Sequence, residues 1–313
     1  MVLQDMTVQE PITLTHWSHS QDMSFRRCRL QWYRRQVLGL KSKRKANPLI
    51  HGLTIHYALQ QFHSLNPSDR SYDALLQYAQ EDYGTHRQGV IETAYDPGVA
   101  AREFDSWFGQ IGVPTLRKIW DVYKEDQQIP QLTMTEVSVE AALDGTDILY
   151  VARLDAVTPK FIFETKTMGK DKRGDFDFHD LQAGRNIWVL NKSGLMPIPI
   201  RTVLYNFIVF PLKSRDGILS RQWYEPSTEE IYWTIHDIPL VVQEAMRPDM
   251  VIHHDFRKSC QYECEFYQLC LERKLGNPID DILEDQFTTR AQRELVESAK
   301  SEEDTDIAVE EDG

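Results

Sequence analysis

The chain has 313 residues and a formal net charge of −13, with 41% hydrophobic, 11% aromatic and 27% charged residues, an ordinary composition for a soluble globular enzyme. Its length allows one elaborated domain or two small ones, each with a core of its own. No run of about 18 uncharged apolar residues appears, which excludes a transmembrane helix. The start, MVLQDMTVQEPITL, has no basic segment followed by an apolar one, so no secretory signal is expected. The expectation is a cytoplasmic protein without a membrane partner, where four cysteines favour metal binding over disulfides.

Residues 1–14 read as a lead-in. Ser18 followed by Gln21 resembles a capping box and opens a helix over 21–40 that carries Cys28, Trp32 and Tyr33. From Arg26 to Lys45 there are nine Lys and Arg and no acidic residue, a stripe that can follow a phosphate backbone or simply face solvent. A second helix, about 49–64, carries Gly52 and His56. Residues 71–127 have helical periodicity with breaks at Pro97 and Pro114, and form a helical insertion.

The pattern then changes to strands. Residues 133–143, 148–155 and 161–166 are β-rich and separated by Asp144-Gly-Thr-Asp147 and Thr158-Pro-Lys160, so an antiparallel meander is expected. A polar loop, 169–177, leads to a helix over 179–191, an apolar strand over 200–210 and a helix over 227–247. From Ile279 onward thirteen Asp and Glu face three Lys and Arg, a net of −10 that leaves only −3 for the rest. This acidic tail, 279–313, has few apolar residues and is expected to be disordered towards its end, as a solvated tail, a contact for a protein partner or an internal competitor for the basic groove.

Two groups of residues carry chemistry. Side chains alternate along a strand, so Glu164 and Lys166 share a face of 161–166. A carboxylate there can hold a hard divalent cation, and the lysine can orient water and stabilise phosphate charge. Asp155 ends the adjacent strand and reaches the same place, with Glu136 in the first strand a further candidate. Lys170, Lys172, Arg173 and Arg185 follow as candidate phosphate contacts or as a solvated loop. The second group is Cys28 with Cys260, Cys264 and Cys270, the number of thiolates that closes one [4Fe–4S] cluster or one structural zinc. His253 or His254 could complete a zinc site in place of Cys28.

In order along the chain stand Gly52-Leu-Thr-Ile-His56, Asp155, Glu164-Thr-Lys166 and Gln182. This set resembles the PD-(D/E)XK nuclease superfamily, and specifically its RecB-like branch. One early and three late cysteines, with Ser24-Phe-Arg-Arg-Cys28 and Cys264-Glu-Phe-Tyr-Gln-Leu-Cys270, resemble its iron–sulfur members, the CRISPR-associated RecB-like and AddB-type exonucleases. The resemblance implies an α/β fold, a restriction-endonuclease-like core whose central mixed sheet is flanked by helices. The terminal segments, 21–45 and 255–272, would be joined by the cluster within a nuclease domain of residues 15–278. It implies that His56, Asp155 and Glu164, with the Thr165 carbonyl, hold Mg²⁺ or Mn²⁺. Lys166 would be the catalytic lysine and Gln182 a residue near the substrate backbone. The implied activity is metal-dependent hydrolysis of DNA at ends or in single strands; the alternative is a non-catalytic iron–sulfur scaffold that binds DNA. Two positions depart from the pattern: Asn186 stands where the family has Tyr, and Cys260–Cys264 is Cys-x3-Cys where Cys-x2-Cys is commoner.

Overall fold

The structure, a computed structural model, describes residues 6–7, 12–43, 47–92, 96–124, 129, 131–168, 181–210, 218–255, 257 and 260–292. It divides into two compact units: residues 14–19 with 45–242, and residues 1–13, 20–44 and 243–313.

The first unit is built on a six-stranded mixed sheet of β1 (His16–Trp17), β2 (Met134–Ala142), β3 (Leu149–Val157), β4 (Ile162–Met168), β5 (Val203–Val209) and β6 (Ile218–Tyr224). The meander is antiparallel, β2 on β3 on β4, and β5 then joins β4 in parallel with Glu164 opposite Tyr205. β5 is buried at every position, as its unbroken apolar run requires of a central strand. β6 closes the edge beside β5. Its mixed sequence, Ile-Leu-Ser-Arg-Gln-Trp-Tyr, has no clean alternation, which is why the sequence did not mark it as a strand.

Helices α1 (Asn47–Ser64), α2 (Tyr72–Glu92), α3 (Pro97–Trp107) and α4 (Val113–Tyr123) precede the meander, and α5 (Leu181–Ser193) and α6 (Thr228–Ile235) follow it. Ile55, Leu59 and Phe62 of α1 share a core with Leu75, Leu116, Ile119, Ile208 of β5 and Phe210 just beyond it. Pro97 opens α3 under an Asp96 cap, whereas Pro114 does not break the chain of helix. A π-turn over Phe108–Gly112 runs straight into α4 and absorbs the missing donor. The helix expected over 227–247 is two, α6 and a second over Ile238–Ala245; Pro239 has no N–H to continue the first.

In the second unit the helix expected over 21–40 is interrupted. It runs over His19–Arg27, becomes extended at Cys28 (φ −161°, ψ 107°), resumes over Arg29–Trp32 and ends in a π-turn over Tyr33–Val37. The acidic tail is also more ordered at its start than its charge suggests. Asp280–Gln286 is helical, Phe287 pairs with Ser42 in a two-residue ladder, and the Phe287 ring is buried against Phe266 and Leu269. Residues 293–313 lie outside the described residues.

Candidate active site and metal centre

The first site lies where two strands part. β3 and β4 pair only at Ala156–Phe163 and Val157–Ile162, and then separate. In the opening, Asp155 Oδ2 accepts a hydrogen bond from the Thr165 backbone N–H at 2.7 Å, so a carboxylate replaces the lost ladder partner. Glu164 and Lys166 project from β4 into the same region. Lys166 Nζ donates to Glu164 Oε1 and to Gln182 Oε1, each at 2.7 Å, and Gln182 Nε2 donates to Glu164 Oε1 at 3.2 Å. α1 presents His56, with Nδ1 3.5 Å from Asp155 Oδ2. Gly52 allows that approach, since a Cβ there would meet Thr167 Oγ1 at 2.9 Å. A cavity beside these groups is lined by His56, Gln60, Glu136, Asp155 and Thr165.

Burial dominates the electrostatics of the site. Glu164 is 4% exposed, and burial, opposed by the Lys166 ammonium, raises its carboxyl pKa above the usual range. Burial also raises Asp155, against the pull of the Thr165 N–H, while it lowers His56 and favours the neutral imidazole. Glu164 Oε2 is buried with no hydrogen-bond partner among the described residues. An orphaned carboxylate oxygen, a second carboxylate and a neutral imidazole form a donor set that suits a divalent cation. Lys166 keeps 19% side-chain exposure, enough to meet a ligand from outside.

Glu136 is the one non-glycine residue at positive φ (51°) among the described residues, at the step where the β2–β3 ladder skips the Glu136–Asp155 pair. It is ion-paired to Arg153, and its charge works to raise the pKa of both Asp155 and His56. It therefore faces the site. Gln182 ties Glu164 to Lys166. Arg185 corrects an expectation: only 1% exposed, it donates from Nε to Thr234 O at 2.9 Å and contacts His19 Nδ1. Its helical position turns it into the α5–α6 packing, away from any substrate. Asn186 is buried beside it. Lys170, Lys172 and Arg173 lie outside the described residues.

The second site gathers the cysteines. Cys28, Cys260, Cys264 and Cys270 line one cavity together with Arg34, and His254 also borders it. The extended backbone at Cys28 ends one helix and begins the next at the cavity wall. Cys260 and Cys264 sit one helical turn apart, Cys264 N–H bonding to Cys260 O at 3.1 Å, so the Cys-x3-Cys spacing puts both on one face. Three of the four sulfurs accept N–H donors: Cys270 from Arg34 Nη1 at 3.1 Å, Cys260 from Arg257 N at 3.4 Å, and Cys264 from Phe266 N. Burial raises the Cys264 thiol to about 11. Donors aimed at sulfur suit metal-bound thiolates. Among the described residues no three His, Cys, Asp or Glu side chains converge into a ready-made metal cage, neither these cysteines, which share a cavity and not a coordination shell, nor His56, Asp155 and Glu164, which suit a cation by donor type alone.

The basic stripe is largely spent within its own unit. Arg26 pairs with Asp22, Arg29 with Glu244 and Arg35 with Glu265, Lys43 bonds Glu284 O, and Arg34 is buried. No helix among the described residues is long and apolar enough to cross a membrane.

A mixed sheet that carries two carboxylates and a lysine at parted strands, with a histidine and a glutamine from flanking helices, defines a nuclease-type site. Residues 16–271 match the PD-(D/E)XK nuclease superfamily, and the chain belongs to it. Members of this superfamily are typically metal-dependent nucleases. No curated protein matches the sequence. Among solved structures the chain is similar to a candidate exonuclease from Eubacterium rectale, at 10% identity over 81% of this chain and 87% of that one, with a TM-score of 0.45. It is also similar to the protein SSO0001, at 19% identity over 54% of this chain and 78% of that one, with a TM-score of 0.29.

Proposed function

We propose that this protein is a divalent-metal-dependent deoxyribonuclease that acts as an exonuclease on DNA ends or single strands, in recombination, repair or phage- or CRISPR-associated DNA processing. The observation that carries the catalytic part is the buried Oε2 of Glu164, without a hydrogen-bond partner among the described residues, beside a lysine bonded to Glu164 and Gln182. His56, Asp155 and Glu164 would hold Mg²⁺ or Mn²⁺, with the Thr165 carbonyl nearby. Such an ion supplies Lewis-acid polarisation of the scissile phosphate and a lowered pKa for the attacking water.

The chain's own groups do the rest. Glu164 Oε1 and Gln182 Oε1 fix the Lys166 ammonium, so its charge is oriented before substrate arrives. Lys166 would place its ammonium charge against a phosphate oxygen or the attacking water. The Thr165 N–H holds the Asp155 carboxylate in one rotamer. Preorganisation of this kind needs little rearrangement at the moment of reaction.

Cys28, Cys260, Cys264 and Cys270 are proposed to hold a structural [4Fe–4S] cluster. The shared cavity and the N–H donors to sulfur support this reading. The test is a Mn²⁺-dependent assay on single-stranded and duplex DNA, with Glu164→Ala and Lys166→Ala beside wild type. Loss of activity in both variants is expected, by about 10²- to 10⁴-fold for the lysine. Equal behaviour of all three proteins would leave the scaffold reading standing instead.

A further inference from the structure

Arg34 is the only buried basic residue in the described part of the basic run, residues 26–43, at 5% exposure. It sits in the π-turn Tyr33–Val37, an irregularity that often marks a functional position. Its Nη1 donates to Cys270 Sγ at 3.1 Å, and its guanidinium carbon lies 5.8 Å from the centre of the buried Phe266 ring. Neighbouring arginines have carboxylate partners: Arg26 with Asp22, Arg29 with Glu244, Arg35 with Glu265. Among the described residues no carboxylate pairs with Arg34; Asp255, which borders the same cavity, pairs with Arg257.

A buried guanidinium without an anion costs several kcal/mol. A neutral thiol is a weak acceptor and does not offset that cost; an anionic sulfur does. Four cysteine thiolates around an iron–sulfur core leave net negative charge inside a cavity that contains this one buried cation. We propose that Arg34 is the charge partner of the cysteine-held cluster: its guanidinium stabilises the metal-bound thiolate of Cys270, slows loss of the cluster and eases its reduction. The inference rests on the cluster reading given above.

The experiment uses full-length protein purified without oxygen, as wild type, Arg34→Met, Arg34→Lys and Arg35→Met. Iron and sulfide content, midpoint potential by absorbance or paramagnetic resonance, and the rate of bleaching by a chelator are measured. Wild type should contain iron and sulfide. Arg34→Met should shift the potential to more negative values and bleach about 10- to 100-fold faster, the usual scale for partners behind a ligand. Arg34→Lys, which keeps the charge, should recover much of both, and Arg35→Met should match wild type. If Arg34→Met does not fold, Arg34→Gln, which keeps a polar side chain and removes the charge, carries the test with the same expected shift. Wild-type potential and bleaching rate in the Arg34 variants would overturn the role of Arg34 while leaving the cluster in place. Wild type without iron and sulfide would overturn the cluster reading, and the role of Arg34 with it.

Discussion

The Thr165 backbone N–H donates to Asp155 Oδ2 at 2.7 Å across the opening between β3 and β4. The bond separates two functions of one carboxylate, bridging the parted strands and carrying negative charge. Asp155→Asn keeps an oxygen acceptor and removes the charge, whereas Asp155→Ala removes both. The expected outcome is loss of Mn²⁺-dependent cleavage in both variants, with near-wild-type stability only in Asp155→Asn. For Asp155→Ala the exposed strand N–H adds about 1–3 kcal/mol of destabilisation. Urea unfolding beside the cleavage assay checks this, and equal stability of the two variants would sink the bridging role.

Gln182 stands between Glu164 Oε1 and Lys166 Nζ, donating to the first and accepting from the second. Gln182→Ala should leave Lys166 charged but less fixed, lowering kcat by about 10- to 100-fold, the scale of groups that orient others. KM for DNA should change less, because the orientation matters most as charge develops. A rise in KM with kcat unchanged would instead make Gln182 a substrate contact, the role that family resemblance implies.

Much of this site was legible in the sequence, because period-two alternation put Glu164 and Lys166 on one face and the turn at 158–160 brought Asp155 near. The superfamily and the mixed sheet were legible for the same reason: each motif sits on an element with a strong periodic signal. Arg185 and Arg34 were not legible. Both read as surface cations by type, and what buries them is tertiary: the Thr234 carbonyl in α6 for one, Phe266 and Cys270 far along the chain for the other. The order at the start of the acidic tail was not legible either, because charge count hides the single ring, Phe287, that anchors it.

Gly184 makes the close approach of α5 to α6. A Cβ there would lie 2.7 Å from Thr234 Oγ1 and 2.8 Å from its Cγ2. Alanine would gain helix propensity of about 1 kcal/mol, but overpacking typically costs about 1–3 kcal/mol. Gly184→Ala is expected to be net destabilising. Thr234→Ser removes Cγ2 and keeps a hydroxyl for Ile231 O, so the double variant should recover part of the loss. A double-mutant cycle by urea unfolding measures the coupling, and strict additivity would refute the contact.

His51 is 3% exposed and stacked on Trp107, and burial lowers its pKa from the ordinary histidine value near 6.5 to about 4. His63, 2% exposed, is lowered well below the same value, again chiefly by burial. Both stay neutral in the fold while the unfolded chain takes up protons near 6.5. Where the unfolded state binds more protons, stability falls as pH falls. These two groups therefore contribute a loss that begins near the unfolded value and, for His51, continues to about pH 4, with a slope of at most ~1.4 kcal/mol per pH unit for each. His51→Phe keeps an aromatic face for Trp107 and cannot titrate. Its urea midpoint should fall less steeply than that of wild type between about pH 6.5 and about pH 4.5. Parallel profiles for the two proteins would show that His51 takes up its proton equally in the folded and unfolded chains, contrary to its burial.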